Sequence, residues 1–148
     1  MDLKTSLEND LKDAMRSNDE VKRRTLRMVL SAVKLSEIEK GAKLEEALII
    51  AILQKEIKGR NEAISDAERA NRPDLISENQ AEIRVLETYL PKQMEESELR
   101  ALIQSVILEI GATGPADMGK VIKAVFPKVQ GRAPNDRVSA IVRQLLQI

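Results

Sequence analysis

Ser97-Glu98-Leu99-Arg100-Ala101-Leu102-Ile103-Gln104-Ser105-Val106-Ile107-Leu108-Glu109-Ile110-Gly111 is the stretch that decides the fold. Leu99, Leu102, Ile103, Val106, Ile107 and Ile110 fall at i, +3, +4, +7, +8 and +11. That spacing puts them on one face of an α-helix, whereas a strand would alternate every second residue. Gly111 follows, the residue type that best tolerates the left-handed turn ending a helix. Met118, Val121, Ile122, Val125 and Phe126 repeat the pattern, with Pro127 and Gly131 limiting its continuation or kinking it. Val138, Ile141, Val142, Leu145 and Leu146 form a third stripe, with Asn135 as its expected N-cap. Three amphipathic helices must bury their apolar stripes against one another, which predicts a small three-helix module.

Four helices are expected upstream of it. Leu3, Leu7, Leu11 and Met15 stripe the first, which should run to about Ser17. Asn18-Asp19-Glu20 reads as a break and an N-cap, and Gly41 as the C-terminal stop of a second helix carrying Leu26, Val29 and Val33. Glu45 and Glu46 suit the first turn of a third helix, where the helix dipole favours acids. It should reach about Ala70, with Gly59 a point where it could kink. Pro73 opens a fourth, carrying Ile76, Ile83, Leu86 and Leu90 and stopping at Pro91. The predicted fold is therefore all-α, an N-terminal bundle of about four helices over 1–93 and a C-terminal three-helix domain over 94–148. Tyr89-Leu90-Pro91-Lys92-Gln93 marks the boundary.

Composition removes whole classes of chemistry. Among 148 residues there is no Cys and no His, which excludes thiol catalysis, disulfides, histidine-based triads and most zinc sites. No phosphate-cradling glycine loop or nucleophile-elbow motif is present. No cofactor is expected. Glu37 with Glu39, and Glu95, Glu96 and Glu98, are the nearest thing to paired carboxylates. Residues two apart on a helix diverge, and the second group sits where acids stabilise a helix start, so acid–base chemistry is not expected from either. Tyr89 and Phe126 are the only aromatics, so the core must be aliphatic. The first ten residues are acidic with no apolar run, unlike a secretory leader. No stretch approaches the about 18 apolar residues of a membrane span. These readings predict a cytoplasmic protein with no membrane partner.

The charge is zero overall but uneven. From Asp117 onward Lys120, Lys123, Lys128, Arg132, Arg137 and Arg143 face only Asp117 and Asp136, a local excess of +4. Gly119 lies off the apolar stripe of its helix, beside Lys120 and Lys123. A bare glycine there lets a ligand approach the backbone, and amides near a helix start with two lysines suit a phosphate. The alternative is that a neighbouring helix packs on Gly119, or that the lysines are ordinary surface residues; both readings stand at this point. Gly131-Arg132-Ala133-Pro134-Asn135 is either an interhelical loop or an extension of the same basic surface by Lys128, Arg132 and Arg137. With so few aromatics, recognition of RNA would rest on backbone charge and shape. Lys22-Arg23-Arg24 with Arg27 is balanced by nearby acids and reads better as a solvated helix face.

Leu26-Arg27-Met28-Val29, Lys58 with Arg60, Arg72-Pro73-Asp74-Leu75, Glu82, Tyr89-Leu90-Pro91-Lys92-Gln93, Asp117-Met118-Gly119-Lys120-Val121 and Gly131-Arg132-Ala133 occur in this order along nearly the whole chain. With them the chain resembles stand-alone YqeY-type members of the GatB/YqeY family. Pro134 and Asn135 stand where that family usually has Asp-Gly. The resemblance implies two helical domains and kinship with the tail of the B subunit of the glutamine-dependent aspartyl/glutamyl-tRNA amidotransferase, a tail that helps bind tRNA. The carbon–nitrogen ligase chemistry of that enzyme resides in parts that this chain does not match.

The function expected is therefore a non-catalytic accessory protein that binds tRNA, associated with amidotransferase or tRNA-synthetase machinery. Lys120, Lys123, Lys128, Arg132 and Arg137 would be its RNA contacts, with Gly119 and Gly131 shaping the surface. The alternative is a helical adaptor for another protein, offering the near-neutral N-terminal helices as a groove. A third reading, amidotransferase activity in the chain itself, lacks any residue assignable to ATP or glutamine.

Overall fold

Seven α-helices and one short 3-10 turn make up the computed structural model, which describes residues 2–146, and no strand occurs among the described residues. The helices are α1 (Leu3–Arg16), α2 (Glu20–Lys40), α3 (Glu46–Arg69), α4 (Pro73–Glu87), α5 (Glu96–Ile110), α6 (Met118–Val129) and α7 (Asn135–Leu146); the turn is Pro115–Asp117. The fold is all-α. The chain divides into two compact units, with the break between Leu90 and Pro91.

In the first unit the helix ends follow from local chemistry. The Thr5 amide donates to Asp2 Oδ1 at 2.7 Å, capping α1. The Lys22 amide donates to Asp19 Oδ1 at 3.1 Å, capping α2. Such caps satisfy amides that the helix itself leaves orphaned. Gly41 closes α2 in the left-handed conformation (φ 73°), and its amide donates to the Glu37 carbonyl at 2.8 Å. Leu7, Leu26, Val29, Val33, Ile49, Leu53 and Leu86 form the buried core, aliphatic as the composition requires.

Two details of the first unit differ from expectation. Met15 is exposed and Ala14 is buried in its place. A strict four-residue stripe advances about 40° per step around a 3.6-residue helix, so it drifts off the core within three steps. The fourth helix ends at Glu87 rather than at Pro91. The amides of Thr88, Tyr89 and Leu90 each donate three residues back, at 3.3, 3.1 and 3.1 Å, tightening the tail before Pro91 forbids further helix.

The second unit buries Leu99, Ile103 and Val106 of α5 against Val121, Val125 and Val129 of α6 and Val138, Ile141 and Val142 of α7. Each such side chain contributes about 1.5–3 kcal/mol on full burial. Pro127 does not end α6, which runs on to Val129. The ring forgoes one backbone hydrogen bond, and burial of Val129 offsets that loss. Asn135 lies inside α7 rather than capping it, because the Val138 amide donates to the Pro134 carbonyl at 3.1 Å. Phe126, expected in the stripe, is instead 42% exposed. Among the described residues no helix is long and apolar enough to cross a membrane.

Candidate functional site

The start of α6 is set by Asp117. The Thr113 amide donates to its Oδ2 at 3.0 Å, and the Asp117 amide donates to the Gly114 carbonyl at 2.9 Å. The backbone bond from Thr113 holds the Asp117 carboxyl below its usual range. This lock orients the helix so that Met118, Val121, Ile122 and Val125 pack into the core. Gly119, Lys120 and Lys123 then face outward.

Gly119 is uncovered. A Cβ built there would meet nothing within 4 Å, so no neighbouring helix explains the glycine. The Lys120 side chain is 78% exposed and lies 4.0 Å from Asp117, a weak contact at best. Lys123 is exposed, and among the described residues no carboxylate pairs with it. Lysines three apart on a helix are surface neighbours, so the two ammonium groups share one patch.

The remaining cations are engaged differently. Lys128 Nζ donates to Glu109 Oε2 at 3.1 Å, linking α6 to α5. Arg132 meets Glu98 through both nitrogens of its fork, at 3.0 and 3.2 Å, and its Nε donates to the Lys92 carbonyl at 3.0 Å. Gly131 has φ 75° and follows Gln130 at φ 54°, so the turn toward α7 is made by two successive left-handed residues before Pro134. The Gly131 carbonyl accepts from Gln93 Nε2 at 3.5 Å. Arg137 is half-buried on α7, a different helix from the one that carries Lys120 and Lys123. The structure thus brings Gly119, Lys120 and Lys123 together and ties Lys128 and Arg132 into the packing of the unit. The linear charge count missed this because it began at Asp117. Counted from Pro91, eight bases face six acids, and the excess falls to +2.

Other motif residues also turn out to hold the fold. Arg60 is only 6% exposed, and its Nε lies 3.4 Å from Glu82 Oε2, itself buried. Arg24 Nε donates to Glu82 Oε1 at 3.0 Å, so one carboxylate ties α2, α3 and α4 together. Arg60 Nη1 also donates to Glu56, while its Nε makes no well-aligned hydrogen bond. Tyr89 donates its hydroxyl to Asp10 Oδ2 at 2.5 Å, and burial followed by this bond pushes the phenol well above its usual pKa. Arg72 forks onto Asp74 at 3.1 and 2.9 Å beside Pro73. Glu37 accepts from Lys4 Nζ at 2.9 Å and from the Leu44 amide at 3.0 Å. Both bonds hold its carboxyl below the usual range, the Lys4 bond most strongly. Glu37 and Glu98, members of the two acidic groups weighed for catalysis, are thus each engaged by a cation. Among the described residues no acidic cluster is arranged to hold a metal ion. Interhelix pairing of this kind leaves no periodic trace along a sequence, and only the distant motif pieces hinted at it.

The family model described as "Yqey-like protein" matches residues 4–146. The chain is 32% identical over 155 aligned positions to altered inheritance of mitochondria protein 41, mitochondrial, of Lachancea thermotolerans, covering 97% of this chain and 81% of that protein. It is 39% identical over 85 positions to the protein of the same name in Vanderwaltozyma polyspora, covering 57% of this chain and 46% of that protein. The Kluyveromyces lactis protein of that name is 31% identical over 84% of this chain and 67% of its own length. These names overturn the expectation of a cytoplasmic protein. That expectation rested on the lack of a secretory-type leader and of a membrane-spanning stretch, and neither bears on amphipathic, acid-poor organelle addresses. From its first helix to its last, the chain belongs to the YqeY-like protein family.

Proposed function

We propose that this protein is a non-catalytic RNA-binding accessory protein, with the outer face of α6 as its contact surface and tRNA as its ligand. The observation that carries this reading is the pairing of an uncovered Gly119 with Lys120 and Lys123 on one helix face. Most other motif residues have a structural partner, whereas these three do little for the fold. A glycine there even lowers helix stability by about 0.5–1 kcal/mol, so its presence calls for another reason. Close approach of a phosphate backbone supplies one, and two ammonium groups supply the attraction. The tRNA assignment and an association with amidotransferase or tRNA-synthetase machinery draw on the family's kinship with the amidotransferase tail. Filter binding of bulk tRNA at low and high salt tests the reading. Retention should fall steeply with salt and drop further in Lys120→Ala plus Lys123→Ala; retention indifferent to both would end it.

A second reading, a helical adaptor, is favoured by one observation in the first unit. Met28, Leu35 and Ile38 are all exposed on α2, at i, +7 and +10, the spacing of a coiled-coil seam. Lys34 and Glu39 are exposed on either side of that seam, as charges flank the contact line when an amphipathic helix docks. Protein capture that survives ribonuclease and is lost in Leu35→Lys plus Ile38→Glu would support it. Capture unaffected by these substitutions would exclude α2 as the docking face.

A further inference from the structure

Phe126 is the chain's single phenylalanine, and it is left 42% exposed although Val121, Val125 and Val129 of the same helix are buried. Its position on α6 is specific. Seven residues separate it from Gly119 and three from Lys123, so the three lie along one side of the helix, within about 60° of one another. Helical side chains lean toward the N-terminus, so the ring covers the turn that holds Lys123 and Ile122 and points toward Gly119. No side chain stands at Gly119 to close off the surface beyond. The result is a partly exposed aromatic ring beside an ammonium group that no carboxylate among the described residues pairs with.

We infer that Phe126 and Lys123 form a subsite for one unpaired nucleotide, the base stacked on the ring and the adjoining phosphate held by Lys123. This rests on the RNA-binding reading of α6 and narrows its ligand. A base inside a duplex has both faces covered by its neighbours, so the subsite selects loops, bulges or free ends. Lys120, three residues from Lys123 on the opposite flank from Phe126, is placed for the next phosphate along the strand. Stacking on an aromatic ring tolerates any base, so the subsite distinguishes single-stranded from paired RNA rather than one sequence from another. The scarcity of aromatics had pointed to recognition by backbone charge and shape alone; the exposure of this one ring adds a contact to a base.

The chain contains no tryptophan, so Phe126→Trp creates a single fluorescent reporter at the subsite. It is titrated with single-stranded oligoadenylate and with an RNA duplex of equal length. In parallel, Phe126→Leu is compared with the unaltered protein for affinity and for the dependence of affinity on salt. The inference expects the indole to be quenched by the single strand and not by the duplex. It also expects Phe126→Leu to bind single strands about tenfold more weakly with an unchanged salt slope, since stacking releases no counterions. If RNA binds with a slope that depends on Lys120 and Lys123 while the indole is unquenched or Phe126→Leu binds normally, the stacking subsite is refuted and the RNA reading stands. If no RNA binds the unaltered protein, both are refuted. Helical circular dichroism of each variant confirms that the fold is retained, as substitution at a half-exposed position permits.

Discussion

Arg132 and Glu98 meet fork to carboxylate, two nitrogen–oxygen contacts of 3.0 and 3.2 Å between the turn after α6 and the first turn of α5. The Arg132 carbonyl accepts from the Met94 amide at 2.8 Å, and its Nε reaches the Lys92 carbonyl. A planar guanidinium is suited to this double role, because its donors are fixed in one plane. The pair closes the second unit on itself, and it engages a residue that charge counting assigns to the basic surface.

Arg132→Ala should therefore cost stability rather than RNA affinity. With the side chain about one-third exposed, a loss of about 1 kcal/mol is expected after allowance for solvent screening. Denaturant unfolding measures it. The salt slope of RNA binding should not change; a shallower slope would return Arg132 to the interface.

Glu82→Ala should be far more damaging. It leaves Arg60 as a buried cation with only Glu56 nearby and frees Arg24 from its inner partner. Removing one member of a buried pair costs about 3–5 kcal/mol. Urea unfolding of the variant should show this, and a loss below about 1 kcal/mol would mean that solvent reaches Arg60 freely.

Gly119→Ala separates stability from function. The methyl group meets no neighbour, and alanine favours helix, so the variant should be more stable by about 0.5 kcal/mol, the lower end of the usual gain because the position lies in the first turn. RNA affinity should fall, because the backbone is no longer open to close approach. A variant that is both more stable and equally tight in binding would show that the glycine serves neither purpose.

Glu37 gives the acid limb of the stability profile a specific cause. Its carboxyl titrates lower in the folded chain than the ordinary 4.5, owing first to Lys4 and then to the Leu44 amide. A depressed folded value means that the contribution is present above about 4.5 and is lost as pH falls through the folded value. Glu37→Gln should flatten the decline in melting temperature below that pH. An unchanged acid limb would place the sensitivity in other carboxylates.

The apolar periodicities around Leu99–Ile110, Met118–Val125 and Val138–Leu146 suffice to read the three helices of the second unit, because burying a stripe requires that spacing whatever the helix packs against. Met15, Asn135 and Phe126 were misread, each at the margin of a stripe or cap where a small rotation decides between core and solvent. The candidate site was legible in its centre. Gly119, Lys120 and Lys123 lie on one helix, so their relation is local. Lys128 and Arg132 were not, because Glu109 and Glu98, the partners that engage them, lie 19 and 34 residues away along the chain. Arg60 and Glu82 illustrate the same limit: they lie on different helices, α3 and α4, and nothing in the residues beside either one shows that packing buries the pair.

The most direct test is the slope of log affinity against log salt for tRNA, measured on the unaltered protein and on Lys120→Gln plus Lys123→Gln. Each phosphate contact contributes about 0.7–0.9 to the magnitude of that slope, so loss of two should reduce it by about 1.5. The same reduction produced by Lys128→Gln plus Arg132→Gln, with none from Lys120→Gln plus Lys123→Gln, would contradict the account and move the interface to the C-terminal end of α6 and the turn that follows it.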